Sequence, residues 1–227
     1  MSWVQEFWRS SIGGKTTMAV TGVLLFLFVI AHLLGNLQIF AGPKALNDYA
    51  KMLHDLGPLL WVARIGLLAI FVLHVLTAIR LSRANKAARP VPYAKEATVQ
   101  ASLASRSMLF SGLSLLAFVI YHLMHFTVGA VHSEDVALKG ADFNVYAMVY
   151  ASFSRMPVVL AYVSFQVLLF LHLKHGLHSF AQTLGWRHAR FTPMIQSLSF
   201  VLAAAIAGGN ILIALAPMLG LVQKGAA

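Results

Sequence analysis

Five long apolar runs separated by short polar ones set the architecture of this chain. They cover positions 17–40, 58–81, 107–130, 157–184 and 193–222. At about 1.5 Å of rise per residue, each is long enough to cross the roughly 30 Å hydrocarbon core of a bilayer as a helix. The boundaries carry residues that start or stop helices: Gly42-Pro43, Gly57-Pro58, Arg89-Pro90 with Pro92, Met156-Pro157 and Thr192-Pro193. The first run has the length of a membrane helix and no small-residue cleavage site follows it, so it reads as a retained span. The pattern predicts an all-α membrane protein: one domain over 1–227, with five transmembrane helices.

Composition agrees with this and narrows it. The 227 residues are 59% hydrophobic and 11% charged, too few charges to solvate a soluble domain of this size. The mean hydropathy is +0.76. A net charge of +10 raises the question of nucleic acid, but the charges collect in loops between apolar runs and form no stripe beside aromatics. Membrane sidedness accounts for them, and no nucleic-acid partner is expected. Ten Lys and Arg fall on one side: Arg9, Lys15, Arg80, Arg83, Lys86, Arg89, Lys95, Arg106, Arg187 and Arg190. Five (Lys44, Lys51, Lys139, Arg155, Lys224) fall on the other, with five of the seven acids, Asp142 among them. The bias places the N-terminus in the cytoplasm. There is no cysteine, which excludes disulfides, thiolate-held iron–sulfur clusters and covalent c-type haem within this chain.

Four of the apolar runs each carry a histidine about two-thirds of the way along: His32, His74, His122 and His172. Intramembrane histidines are costly and mark function more often than filler. Four at matching depths predict two pairs of axial ligands, one pair for each of two stacked haems. An internal repeat assigns the pairs. Thr21-Gly22-x-x-Leu25-x-x-Phe28-Val29-Ile30-x-His32-Leu33 recurs ninety residues later as Ser111-Gly112-x-x-Leu115-x-x-Phe118-Val119-Ile120-x-His122-Leu123. His32 and His122 therefore belong to one layer, in the outer half of the membrane. His74 and His172, late in inward-running spans, belong to an inner layer roughly 10–15 Å away along the normal. Gly22 and Gly112 each precede their histidine by ten residues and fall at the level of the other layer. Either they admit a porphyrin edge, or they simply let helices pack closely.

The remaining histidines and charges have plainer readings. His125 and His175 follow a proposed ligand by three residues and could replace it; the repeat selects His122, and depth favours His172 over His175 and His178. His54, His132 and His188 read as loop residues. Arg64, near the outer level, either pairs with a haem propionate or snorkels; Lys174 and Arg106 pose the same choice at the inner level. With no Asp or Glu inside any of the five runs, the sequence offers no clear proton wire.

Several short motifs point to one family. They are Ser10-Ser11-Ile12-Gly13-x-Lys15, Thr21-Gly22, His32-Leu33-x-Gly35-Asn36-Leu37, Phe71-x-x-His74, Phe118-x-x-Tyr121-His122 and His172-x-x-x-Gly176-Leu177-x-Ser179-Phe180. Over nearly the whole chain they resemble the di-haem, single-anchor cytochrome b subunit of succinate dehydrogenase and fumarate reductase. The resemblance implies two non-covalent haem b groups held by His32, His74, His122 and His172. It implies a flavoprotein subunit and an iron–sulfur subunit docked on the cytoplasmic face of a bacterial inner membrane. Electrons would pass between those subunits and a quinone, with menaquinone the expected one. Quinone-site residues do not carry over, and the outer end near Asn36, Gln38, His54 and Arg64 is the region to examine. Two other classes stay open: the di-haem gamma subunit of a nitrate reductase, formate dehydrogenase or hydrogenase, and a transporter with functional histidines.

Overall fold

A computed structural model describes residues 2–88, 91, 102–140, 143–186 and 188–224. Arg89, Pro90, Pro92, Lys95, Asp142 and Arg187, used above to mark boundaries and sidedness, lie outside the described residues. No strand occurs among the described residues, and five helical stretches are long and apolar enough to cross a membrane: Ser11–Ala41, Pro58–Ala87, Met108–Ala137, Met156–Thr183 and Thr192–Leu215. The chain is an all-α membrane protein that passes the bilayer several times.

The helix ends differ from the sequence boundaries for local reasons. A short helix, α1 (Trp3–Arg9), precedes α2 (Ser11–Asn36). Ser10 caps α2 by accepting from the Gly13 N–H at 2.9 Å, which starts the helix six residues before position 17. A 3₁₀ turn (Leu37–Ala41) leads into the amphipathic α3 (Pro43–Asp55), and α4 spans Pro58–Ala87. Proline in the first turn of α3 and α4, where its missing N–H costs no hydrogen bond, fixes both starts. Because α4 runs six residues past 81, Arg83 and Lys86 stand on its final turns as helical residues.

After α5 (Leu103–Arg106) comes α6 (Met108–Leu123), which passes into a π-helical turn over Met124–Val128 and stops at left-handed Gly129. The helical passage then resumes as α7 (Ser133–Ala137), followed by α8 (Val145–Phe153), α9 (Met156–Thr183) and α10 (Thr192–Leu215). Glu134 and Asp135 stand on α7, beyond the break at Gly129 and outside the apolar run at 107–130, which holds no acid. The last helix ends seven residues before 222. From there the chain turns, and Gln223 accepts a 2.7 Å hydrogen bond from the Tyr146 hydroxyl.

Packing is uneven along the membrane normal. The buried core gathers at the face opposite the N-terminus, where Leu33, Ile39, Leu46, Tyr146, Phe153, Val159 and Ile213 meet. Asn47 staples α3 to α8 there, accepting from the Tyr146 N–H at 2.9 Å and donating to Asn144 at 3.2 Å. Small residues draw α10 onto its neighbours: Ala203 and Ala207 are buried, and a Cβ on Gly209 would come within 3.0 Å of Leu33 on α2. By contrast α4 buries only Thr77, packs against α2 and barely touches α6. The four histidines singled out by the sequence are in α2, α4, α6 and α9.

Candidate functional site

The structure brings the four histidines together in two pairs. His32 faces His122 with ring centroids 5.7 Å apart and planes at 88°; His74 faces His172 at 6.5 Å and 65°. One metal ion with imidazole bonds of about 2.0 Å on either side would separate two ring centroids by about 6 Å, between the two observed values. The pairs occupy different levels. Gly22 lies against His74, and ten residues further along α2 comes His32, about 15 Å away along the axis. The His74–His172 layer is nearer the N-terminal face and the His32–His122 layer nearer the far face.

The N-terminal layer is held by a matched pair of clasps. Thr21 Oγ1 donates to the Thr17 carbonyl at 2.7 Å and lies 3.0 Å from His74 Nδ1. Ser111 Oγ donates to the Met108 carbonyl at 3.2 Å and lies 3.3 Å from His172 Nδ1. With the hydroxyl proton given to the helix carbonyl, the oxygen accepts from the imidazole, the tautomer in which Nδ1 carries the ring proton and Nε2 keeps its lone pair. Thr21 and Ser111 are both buried, which protects the arrangement from water.

The next residue in each clasp is glycine. A Cβ on Gly22 would lie 3.4 Å from His74 Cε1, and one on Gly112 would lie 3.4 Å from His172 Cε1. Cε1 adjoins Nε2, so a larger side chain at either glycine would crowd the side of the ring that carries the free lone pair. Gly22→Val or Gly112→Val is therefore expected to abolish ligand binding at the N-terminal layer and to leave the far layer occupied. Optical titration of the two layers checks this, and retention of both ligands in Gly112→Val would show that the glycines serve helix packing alone.

The far layer has aromatic walls and a polar second shell. Phe28 stacks on His32 at 5.5 Å, and its repeat counterpart Phe118 lies 5.9 Å from His122. Tyr162 of α9 places its hydroxyl 3.3 Å from His122 Nδ1 and 3.1 Å from His125 Nδ1. His125 Nε2 meets Ser152 Oγ at 3.1 Å, and Ser152 donates to Asp135 at 2.8 Å. Arg155 pairs with both Asp135 and Glu134. His125 is fully buried with both ring nitrogens engaged, so it has none left for a metal, in line with the repeat's choice of His122 over it. His132, read as a loop residue, is partly buried with its ring 4.8 Å from that of His125, and its Nε2 lies 3.3 Å from the Tyr121 hydroxyl.

Other sequence candidates lie away from the paired rings. Arg64 is exposed, its guanidinium 5.2 Å from the centre of the Trp61 ring one turn earlier. Lys174 lies over Phe200 of α10 at 5.4 Å, and Arg106 is exposed. Asn36 donates to the His32 carbonyl at 2.7 Å, and His54 packs on Phe143 at 4.3 Å. None of these five is brought against a paired ring. The clasp hydroxyls were visible as the first position of the repeat. Tyr162, Ser152 and Asp135 left no comparable signal. Comparison of the chain with protein-family models, with curated proteins and with solved structures finds no match.

Proposed function

We propose that this chain is a membrane cytochrome b that holds two haem b groups and carries electrons across the bilayer as the anchor subunit of a succinate dehydrogenase or fumarate reductase complex. The observation that carries the reading is the double clasp: two histidines of one layer, each with Nδ1 hydrogen-bonded to a buried hydroxyl and Nε2 free, facing each other across 6.5 Å. Metal-binding histidines characteristically donate their second ring nitrogen in this way. Haem held by the paired imidazoles would supply one-electron redox chemistry.

The residues of this chain would divide the work. His32 and His122 hold the far layer, and His74 and His172 the N-terminal one. Thr21 and Ser111 orient the second pair, while Gly22 and Gly112 keep the approach to it open. Phe28 and Phe118 pack their rings beside the far-layer histidines. The 15 Å or so between layers is within electron-tunnelling reach, so two stacked sites join the two membrane faces. On the Lys and Arg bias the N-terminal face is cytoplasmic, in a bacterial inner membrane. A flavoprotein subunit and an iron–sulfur subunit would dock there, and a quinone, menaquinone in the first instance, would exchange electrons in the membrane.

Absorbance of the purified chain tests the reading. Two haems per chain are expected, both low-spin, with the reduced spectrum of a b-type cytochrome. A chain purified without haem that also fails to take it up on reconstitution would sink the proposal and favour a histidine-using transporter. The complex is tested by co-purification: crosslinks from Lys86 should reach an iron–sulfur protein, and crosslinks only from Lys44 or Lys139 would reverse the sidedness.

A further inference from the structure

Asp135 ends a line of five side chains that begins at His122. An ionised carboxylate only accepts hydrogen bonds, and this fixes the direction of every bond behind it. Ser152 donates to Asp135, so Ser152 Oγ must accept from His125, and the His125 proton sits on Nε2. His125 Nδ1 is then an acceptor, and the Tyr162 hydroxyl donates to it. Having spent its proton, the Tyr162 oxygen accepts from His122 Nδ1. His122 is thereby left with Nε2 unprotonated. The reverse direction requires His125 to be an imidazolium. That would place a full charge on a ring with no exposed surface, a costly arrangement that the neutral ring avoids.

We infer that Asp135 is a positioning residue for His122: acting through Ser152, His125 and Tyr162, it selects the Nδ1–H tautomer and strengthens the electron donation of Nε2. The two layers reach the same tautomer by different means. Thr21 and Ser111 are isolated hydroxyls tied to their own helices, whereas the far layer is tied to a buried charge. The π-helical turn at Met124–Val128 makes this possible, since it carries His125 into contact with both Tyr162 and Ser152. Hydrogen bonds in such a chain polarise one another, so the pull of the carboxylate reaches a ring it does not touch. The tautomer assignment stands by itself; its effect on a bound metal rests on the haem reading above.

The test uses the full chain with nitrogen-15 histidine in a detergent micelle, with the His122 signals assigned from the His122→Gln spectrum. Ring-nitrogen shifts should show His122 protonated at Nδ1 in the wild type. Tyr162→Phe and Ser152→Ala should both give a mixture with the Nε2–H form, and Ser152→Thr, which keeps the hydroxyl, should restore the wild-type signal. In the haem-loaded protein the far-layer midpoint potential should rise in Tyr162→Phe and less so in Ser152→Ala, with the other layer unchanged. A wild-type His122 protonated at Nε2, or a Ser152→Ala spectrum identical to wild type, overturns the inference. A chain that binds no haem sinks the haem reading alone, because the ring-nitrogen measurement needs none.

Discussion

On the proposed di-haem reading, His74→Ala and His172→Ala should each remove the same haem, leaving one equivalent per chain and one redox transition in place of two. His32→Ala and His122→Ala should each remove the other. The effect is large because a bis-imidazole site has only two protein bonds to the metal, and alanine deletes one without offering a substitute. Partition by layer follows from ring distances of 5.7 and 6.5 Å within the pairs, against about 15 Å between levels. Redox titration of the four variants provides the check. If His32→Ala and His74→Ala lost the same transition, the layers as drawn here would be wrong. His175, one turn beyond His172, is the nearest alternative donor, so retention of both haems in His172→Ala would move the fourth ligand there.

Arg155→Leu should be clearly destabilising. It strips the cation from Asp135, whose carboxylate is almost wholly buried beneath the far face. Removing one member of a buried ion pair costs about 3 kcal/mol, because the remaining charge keeps its desolvation penalty without its partner. In a chain of this length that corresponds to a Tm lowered by roughly 6–12 °C in thermal unfolding. The double variant Asp135→Asn with Arg155→Leu should recover much of the loss, since no unpaired charge then remains inside. A drop below 1 °C in Arg155→Leu would mean that water already reaches Asp135. By contrast Lys44 and Lys51, whose pairs with Asp48 and Asp55 are exposed on α3, should tolerate alanine with little change.

Most of the fold was legible because a bilayer makes hydropathy nearly decisive, and the meeting of the histidine rings was legible because the repeat copied depth and direction together. Gly22 against His74 and Gly112 against His172 follow from the same ten-residue offset. What escaped depends on contacts that no local pattern encodes. Tyr162 reaches residues 40 and 37 positions away, and Ser152 reaches His125 across 27. The π turn that aims His125 has no sequence mark comparable to a capping serine. Arg64 misled because depth is only one coordinate: its side chain lies over Trp61 on an exposed face of α4. The ends of α2 and α4 shifted by about six residues because Ser10 caps early and charged side chains can continue a helix beyond its apolar stretch.

The chain contains two hairpins of the same plan, α2 with α4 and α6 with α9. In each, the first helix clasps the histidine of the second. Yet the rings do not pair within a hairpin. His32 of the first meets His122 of the second, and His74 of the first meets His172 of the second. Neither half of the polypeptide owns a complete ring pair, so each pair forms only when both halves have docked in register. The pairs are in this sense a mark of correct assembly: a half-made or mis-threaded chain has rings to offer but none facing them.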